Sequence, residues 1–185
     1  MTNQYNIQPT TLAGCFVIKP KIFGDDRGLF YESFNKRRLE DALGIELNFV
    51  QDNLSISNKN VIRGLHFQEG DAAQAKLVQV LAGRVLDVVV DLRKDSASFG
   101  RYFSIELSAR DRNMLFIPRG MAHGFLSLEN QTVFSYKCDA YYAPKAERGI
   151  RYNDPDLCID WGIQMEDAII SEKDKSLPFL KSLSL

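Results

Sequence analysis

Histidine and cysteine are scarce in this chain. Only His66 and His123 occur in 185 residues, with three cysteines, Cys15, Cys138 and Cys158. The cysteines are scattered and show no Cys-x-x-Cys spacing, which argues against a zinc site and against a disulfide framework. Each is expected to be a reduced, buried, small apolar residue. An excess of charge of either sign is also missing: 23 Lys and Arg against 24 Asp and Glu leave a net charge of −1. Binding to nucleic acid by bulk electrostatics is therefore not expected. A small anionic ligand stays open, because it needs only a few basic residues in one place. No apolar run approaches the length of about 20 residues that spans a bilayer. Residues 1–9 are polar, without the basic start and apolar core of a signal peptide. The expectation is a cytoplasmic protein with neither a membrane nor a nucleic-acid partner.

What the chain does have is many short apolar or alternating runs separated by turn residues. Strands are expected over 15–20, 29–34, 47–57, 61–67, 75–82, 84–92, 101–107, 114–117, 123–128 and 132–139. The separators include Gly24-Asp25-Asp26, Glu69-Gly70-Asp71 and Pro118-Arg119-Gly120. Such spacing suggests an all-β sandwich or barrel. One helix is expected, capped by Asn35, with Leu39, Ala42 and Leu43 as its apolar stripe and Gly44 as its stop. A second, short helix is expected after Ser171, and residues 141–160 read as a long ordered loop. With no repeat, linker or low-complexity tract, residues 1–185 read as a single domain.

Chemistry is expected first at Arg63-Gly64-Leu65-His66-Phe67-Gln68. Histidine titrates near neutral pH, so His66 can take a proton and return it. In a regular strand Arg63 and His66 point to opposite faces. A bulge at Gly64 brings both to one cavity. The plain alternative for His66 is a half-buried structural histidine. His123 opens a strand after a tight turn. The two histidines lack the His-x-His pair and acidic partner of metal-binding cupins, so no metal is expected. Phe134, Tyr136 and Cys138 share one strand face. Lys76 opens an apolar strand, either as an edge gatekeeper, the commoner case, or as an inward-facing cation. Ser171-Glu172-Lys173-Asp174 has the spacing of a helix capping box. Arg27 and Glu32 read locally as surface charges.

Together these motifs resemble those of the dTDP-4-dehydrorhamnose 3,5-epimerases, in order and nearly end to end. The resemblance rests on the 23–28 segment Phe23 to Gly28, Phe34, Val50-Gln51-Asp52-Asn53 with Ser55, and the His66 segment itself. It continues through Gln74 with Lys76-Leu77-Val78, Asp91-Leu92-Arg93, Ile117-Pro118 and Ala122-His123-Gly124-Phe125. Tyr136-Lys137, Tyr141-Tyr142, Gly149-Ile150, Asn153-Asp154-Pro155 and the Ser171 to Asp174 box complete it. The resemblance implies a cupin-like β-jelly-roll with a few short helices, a homodimer, and no metal or dissociable cofactor. The implied substrate is dTDP-4-keto-6-deoxyglucose.

It further implies that His66 is the base, Asp174 its supporting carboxylate and Tyr136 the acid on the opposite ring face. Lys76, aided by Arg63, would stabilise an enolate. Tyr142 would stack on thymine. Arg27, Glu32, Gln51, Asp52, Asn53, His123, Glu147 and Lys173 would bind the rest of the nucleotide sugar, Arg27 from the partner subunit. Phe67, Glu69-Gly70-Asp71, Tyr152 and Gly162 after Trp161 depart from the family pattern, and none of them removes a proposed catalytic group.

Overall fold

The computed structural model describes residues 4–183. In chain order its strands are β1 (Tyr5–Pro9), β2 (Phe16–Pro20), β3 (Ile22–Asp25), β4 (Gly28–Tyr31), β5 (Gln51–Ser57), β6 (Val61–Gln68) and β7 (Lys76–Ala82). They continue as β8 (Arg84–Asp91), β9 (Tyr102–Ser108), β10 (Met114–Ile117), β11 (Met121–Ser127), β12 (Thr132–Cys138), β13 (Glu147–Gly149) and β14 (Ile169–Ile170). Two helices join them, α1 (Lys36–Leu43) and α2 (Glu172–Lys175). One sheet has the order β1-β2-β10-β7-β12-β5. The other runs β13-β6-β11-β8-β9, with β14 added in parallel to β6.

From β5 to β12 the chain crosses repeatedly between the two sheets, placing four of these eight strands in each. That is the antiparallel double sheet of a jelly roll. Its apolar filling comes from the inward faces, among them Val78, Val80, Val89, Leu107, Phe125 and Phe134. The outer face of the second sheet is covered by the C-terminal segment through Leu157 and Trp161. The outer face of the first sheet is covered around α1, where Leu39 packs with Ile18, Leu77 and Phe116. Helix α1 forms as its ends dictate. Asn35 Oδ1 accepts from the Arg38 N–H at 3.2 Å, and Gly44 closes the helix at φ 69°.

Several sequence expectations need correction. Residues 5–9 form an edge strand that their polar composition hid, while residues 1–3 of the polar start lie outside the described residues. The segment 141–160 is not loop throughout: it carries β13 and a 3-10 turn at Pro144–Ala146. Residues 32–34 are not strand, since β4 ends at Tyr31. Cys15 and Cys138 are buried free thiols, but Cys158 is exposed, held in a turn at φ 47°. The longest apolar helix does not reach membrane-spanning length among the described residues.

Candidate active site

Strand β6 departs from regular pairing where Gly64 stands. His66 faces His123 and Arg63 faces Phe125, so β6 spends one more residue than β11 over the same stretch. Ile62, Leu65 and Phe67 consequently pack outward, while Arg63 and His66 both line one inward cavity of about 810 Å³. The expected bulge is present. Only glycine fits it: φ is 119°, and a Cβ would lie 2.6 Å from Gly124 Cα and 2.8 Å from the His123 carbonyl oxygen. Gly64→Ala should therefore destabilise the fold by more than about 2 kcal/mol and lower turnover with it. Thermal unfolding checks this; an unchanged midpoint would show that the β6–β11 approach is not tight.

His66 Nε2 lies 2.7 Å from Asp174 Oδ1. The other carboxylate oxygen accepts the Gly64 N–H at 3.2 Å. Burial pushes the Asp174 carboxyl pKa up, but the His66 hydrogen bond and charge, the Gly64 N–H and Lys173 outweigh it and hold it below the ordinary value. Asp174 is therefore ionised at neutral pH. Half of the anticipated capping box forms: Ser171 Oγ accepts the Asp174 N–H at 3.1 Å. The reciprocal half does not, because the Asp174 side chain is committed to His66 and Gly64.

Lys76 is an inward cation and not an edge gatekeeper. Strand β7 is interior to its sheet, and Lys76 has the parity of the core residues Val78 and Val80. Burial drives its pKa below 10.5, against the opposing pull of Cys138, Asp87 and Glu147. Phe134, Tyr136 and Cys138 line the same cavity, as their shared face requires. Burial raises the Tyr136 phenol above 10.0, with Cys138 and Glu147 adding and Arg63 opposing. It is a protonated donor at neutral pH. Arg63 Nε donates to Ser57 Oγ at 3.1 Å, which fixes the guanidinium against β5.

At the cavity mouth Glu147 Oε2 accepts from Tyr142 Oη at 2.8 Å and from Lys173 Nζ at 2.7 Å. Gln51 and Asn53 line the adjoining wall. Asp52 does not. Alternation turns it to the opposite face of β5, where its carboxylate pairs with Lys137 at 2.8 Å. Two further expected binding residues stand apart from the cavity of their own chain. Arg27, 90% exposed at the tip of the β3–β4 hairpin, pairs with Asp25. Glu32 accepts from Arg38 at 3.0 Å and Asn35 at 3.1 Å.

His123 is buried, unlike a turn histidine, with Nε2 2.9 Å from Asp87 Oδ2. Sequence reasoning missed Asp87. Its signal was available: a lone carboxylate in the run Val85-Leu86-Asp87-Val88-Val89-Val90 must find a partner. Gln68 was quoted within a motif and given no task, yet it is buried and lines the cavity.

A histidine paired with a buried carboxylate, a protonated phenol and a desolvated lysine thus share one cavity. The family model described as dTDP-4-dehydrorhamnose 3,5-epimerase matches residues 9–182. The dTDP-4-dehydrorhamnose 3,5-epimerase of Escherichia coli (strain K12) is 48% identical, over 96% of each chain.

The chain belongs to the dTDP-4-dehydrorhamnose 3,5-epimerase family.

Solved members of the family share its fold closely. The dTDP-4-dehydrorhamnose 3,5-epimerase of Elizabethkingia anophelis NUHP1 has a TM-score of 0.95 at 47% identity, covering 98% of this chain and 100% of that one. The dTDP-6-deoxy-D-glucose-3,5-epimerase of Legionella pneumophila Philadelphia 1, solved in complex with dTDP-4-keto-L-rhamnose, has a TM-score of 0.93 at 46% identity. It covers 97% of this chain, which covers 95% of it. The family match spans every cavity residue described above, and the fold is the cupin-like jelly roll implied by the sequence resemblance.

Proposed function

We propose that this protein converts dTDP-4-keto-6-deoxy-D-glucose to dTDP-4-keto-L-rhamnose by epimerising C3 and C5. The observation that carries the reading is the His66–Asp174 pair at 2.7 Å, in one cavity with Tyr136 and Lys76. A carbon next to a ketone loses its proton to His66, and the bonding electrons move onto the C4 oxygen as an enolate. Tyr136 then donates a proton to the opposite face. The electrons return from oxygen to carbon, and the configuration is inverted. His66 releases its proton to solvent and the Tyr136 phenolate takes one up, so the enzyme ends as it began. The ketone lies between C3 and C5 and serves both in turn.

Each role suits its surroundings. The ionised Asp174 holds the imidazole in one orientation and favours the imidazolium formed on abstraction. The buried Lys76 ammonium meets the enolate oxygen where little water screens it, commonly the largest contribution to such a reaction. Tyr142, Glu147 and Lys173 at the mouth would take the nucleotide, with Tyr142 under the thymine. Gln51, Asn53, Arg63 and His123 would contact the remainder. No cofactor is required by this chemistry.

The working unit is proposed to be a cytoplasmic homodimer of one-domain subunits. The β3–β4 hairpin supports this: it carries Arg27 away from its own cavity and exposes Phe23, Leu29 and Phe30, at 44%, 50% and 69%. Arg27 would then complete the partner's site.

Lys76→Met should lower kcat by about 10²–10³-fold while the protein stays folded, since methionine fills the lysine's volume. In the wild type, kcat should fall as pH rises through a value below 10.5, because the ammonium is lost there. Burial shifts the Tyr136 phenol the opposite way, upward, so the Lys76→Met profile should lack the limb that the ammonium contributes. A flat alkaline limb in the pH profile of kcat would contradict the enolate role. The function itself is tested by supplying the pure protein with dTDP-4-keto-6-deoxy-D-glucose and a 4-ketorhamnose reductase. Formation of dTDP-L-rhamnose is expected; recovery of unaltered substrate would remove the assignment.

A further inference from the structure

Residues 140–143 carry Tyr142 but belong to no strand or helix. Their backbone is held instead by three glutamine side chains from elsewhere. Gln74 Nε2 donates to the Ala140 carbonyl at 2.8 Å. Gln68 Nε2 donates to the Tyr141 carbonyl at 3.2 Å, and Gln68 Oε1 accepts the Ala143 N–H at 2.6 Å. Gln51 Oε1 accepts the Tyr142 N–H at 2.8 Å. Four successive residues are each fixed once, from β5, from β6 and from the turn before β7.

Gln68 is the centre of this arrangement. It is 5% exposed, and its second amide hydrogen goes to the Ala72 carbonyl at 2.7 Å. One side chain thus donates to two carbonyls and accepts from one N–H. A primary amide can do this; a carboxylate cannot donate, and an apolar side chain does neither. Gln51 is similarly committed, its amide nitrogen donating to Asn53 Oδ1 at 3.0 Å. The Tyr142 ring beyond them is half exposed, and its hydroxyl donates to Glu147 Oε2 at 2.8 Å. A stacking platform is useful when its backbone is set before the ligand arrives, since ordering it on binding lowers affinity.

We infer that Gln51, Gln68 and Gln74 form a clasp that positions Tyr142 for the nucleotide base, with Gln68 as the principal positioning residue. This rests on the proposed stacking role of Tyr142. The clasp holds the backbone that carries Tyr142 and includes none of the groups proposed to move protons. Loss of Gln68 is therefore read in KM and in dTDP affinity before it is read in kcat.

The test is a double-mutant cycle on the full-length protein, with dTDP binding followed by calorimetry and turnover followed in parallel. Gln68→Met should weaken dTDP binding and raise KM about tenfold, the equivalent of one to two lost hydrogen bonds. Its kcat should change far less than its KM. Gln68→Glu keeps the acceptor for the Ala143 N–H and loses both donors, and should not restore affinity. In a Tyr142→Ala background, Gln68→Met should cost less than about twofold more, because the two act through one ring.

Wild-type dTDP affinity in Gln68→Met would overturn the clasp. So would a tenfold loss that persists undiminished in the Tyr142→Ala background, which would mark Gln68 as a general scaffold residue. If Tyr142→Ala alone binds dTDP as tightly as the wild type, the stacking role fails first and takes the clasp with it. If Gln68→Met does not fold, Gln74→Met, at a less buried position, carries the same cycle with a smaller expected loss.

Discussion

His66→Ala should reduce solvent-proton exchange at the carbons flanking the ketone by about 10³–10⁴-fold, the upper part of the range for a lost general base. Binding of dTDP should persist, because the nucleotide end is built from Tyr142, Glu147 and Lys173. The paired control is Asp174→Ala. It leaves the imidazole in place and removes its orientation and countercharge, so its loss should be smaller than that of His66→Ala. The two effects should also fail to add, because Asp174 acts through the ring 2.7 Å away. Exchange rates measured by proton NMR check the pair. An Asp174→Ala protein slower than His66→Ala would mean that the carboxylate itself handles a proton. Unchanged exchange in His66→Ala would leave a sugar-binding module as the better description.

Tyr136→Phe should separate exchange from inversion. His66 still removes a proton and the enolate still forms, but no acid waits on the other face. Deuterium should then enter from the His66 side with retained configuration, while inversion falls by about 10²–10⁴-fold. The hydroxyl is the only group removed, and the ring keeps its packing beside Phe134, 6.1 Å between centroids. Folding should survive. Inversion at the wild-type rate in this variant would require a different acid.

The strand pattern of the jelly roll was legible because inward residues alternate with period two, and α1 was legible because Asn35 and Gly44 mark its ends. The bulge could be argued from Gly64 alone, since two chemically active side chains three residues apart needed one extra residue to share a face. Sheet order could not be read locally, and Lys76 shows the consequence. As the first residue of an apolar strand it resembles an edge gatekeeper; only the neighbours β10 and β12 make it interior. Asp174 lies 108 residues from His66, so no local pattern joins them. The family resemblance did, and the capping-box reading by itself would have assigned the side chain to Ser171. Asp52 was carried into the binding set by its place between Gln51 and Asn53, where alternation alone turns it away.

The most direct measurement is proton NMR of dTDP-4-keto-6-deoxy-D-glucose incubated with the wild-type protein in deuterated water. Deuterium should appear at both C3 and C5, in a product with both centres inverted. Label at only one of the two carbons would restrict the enzyme to a single epimerisation, and label at neither would contradict the assignment of His66 as the base.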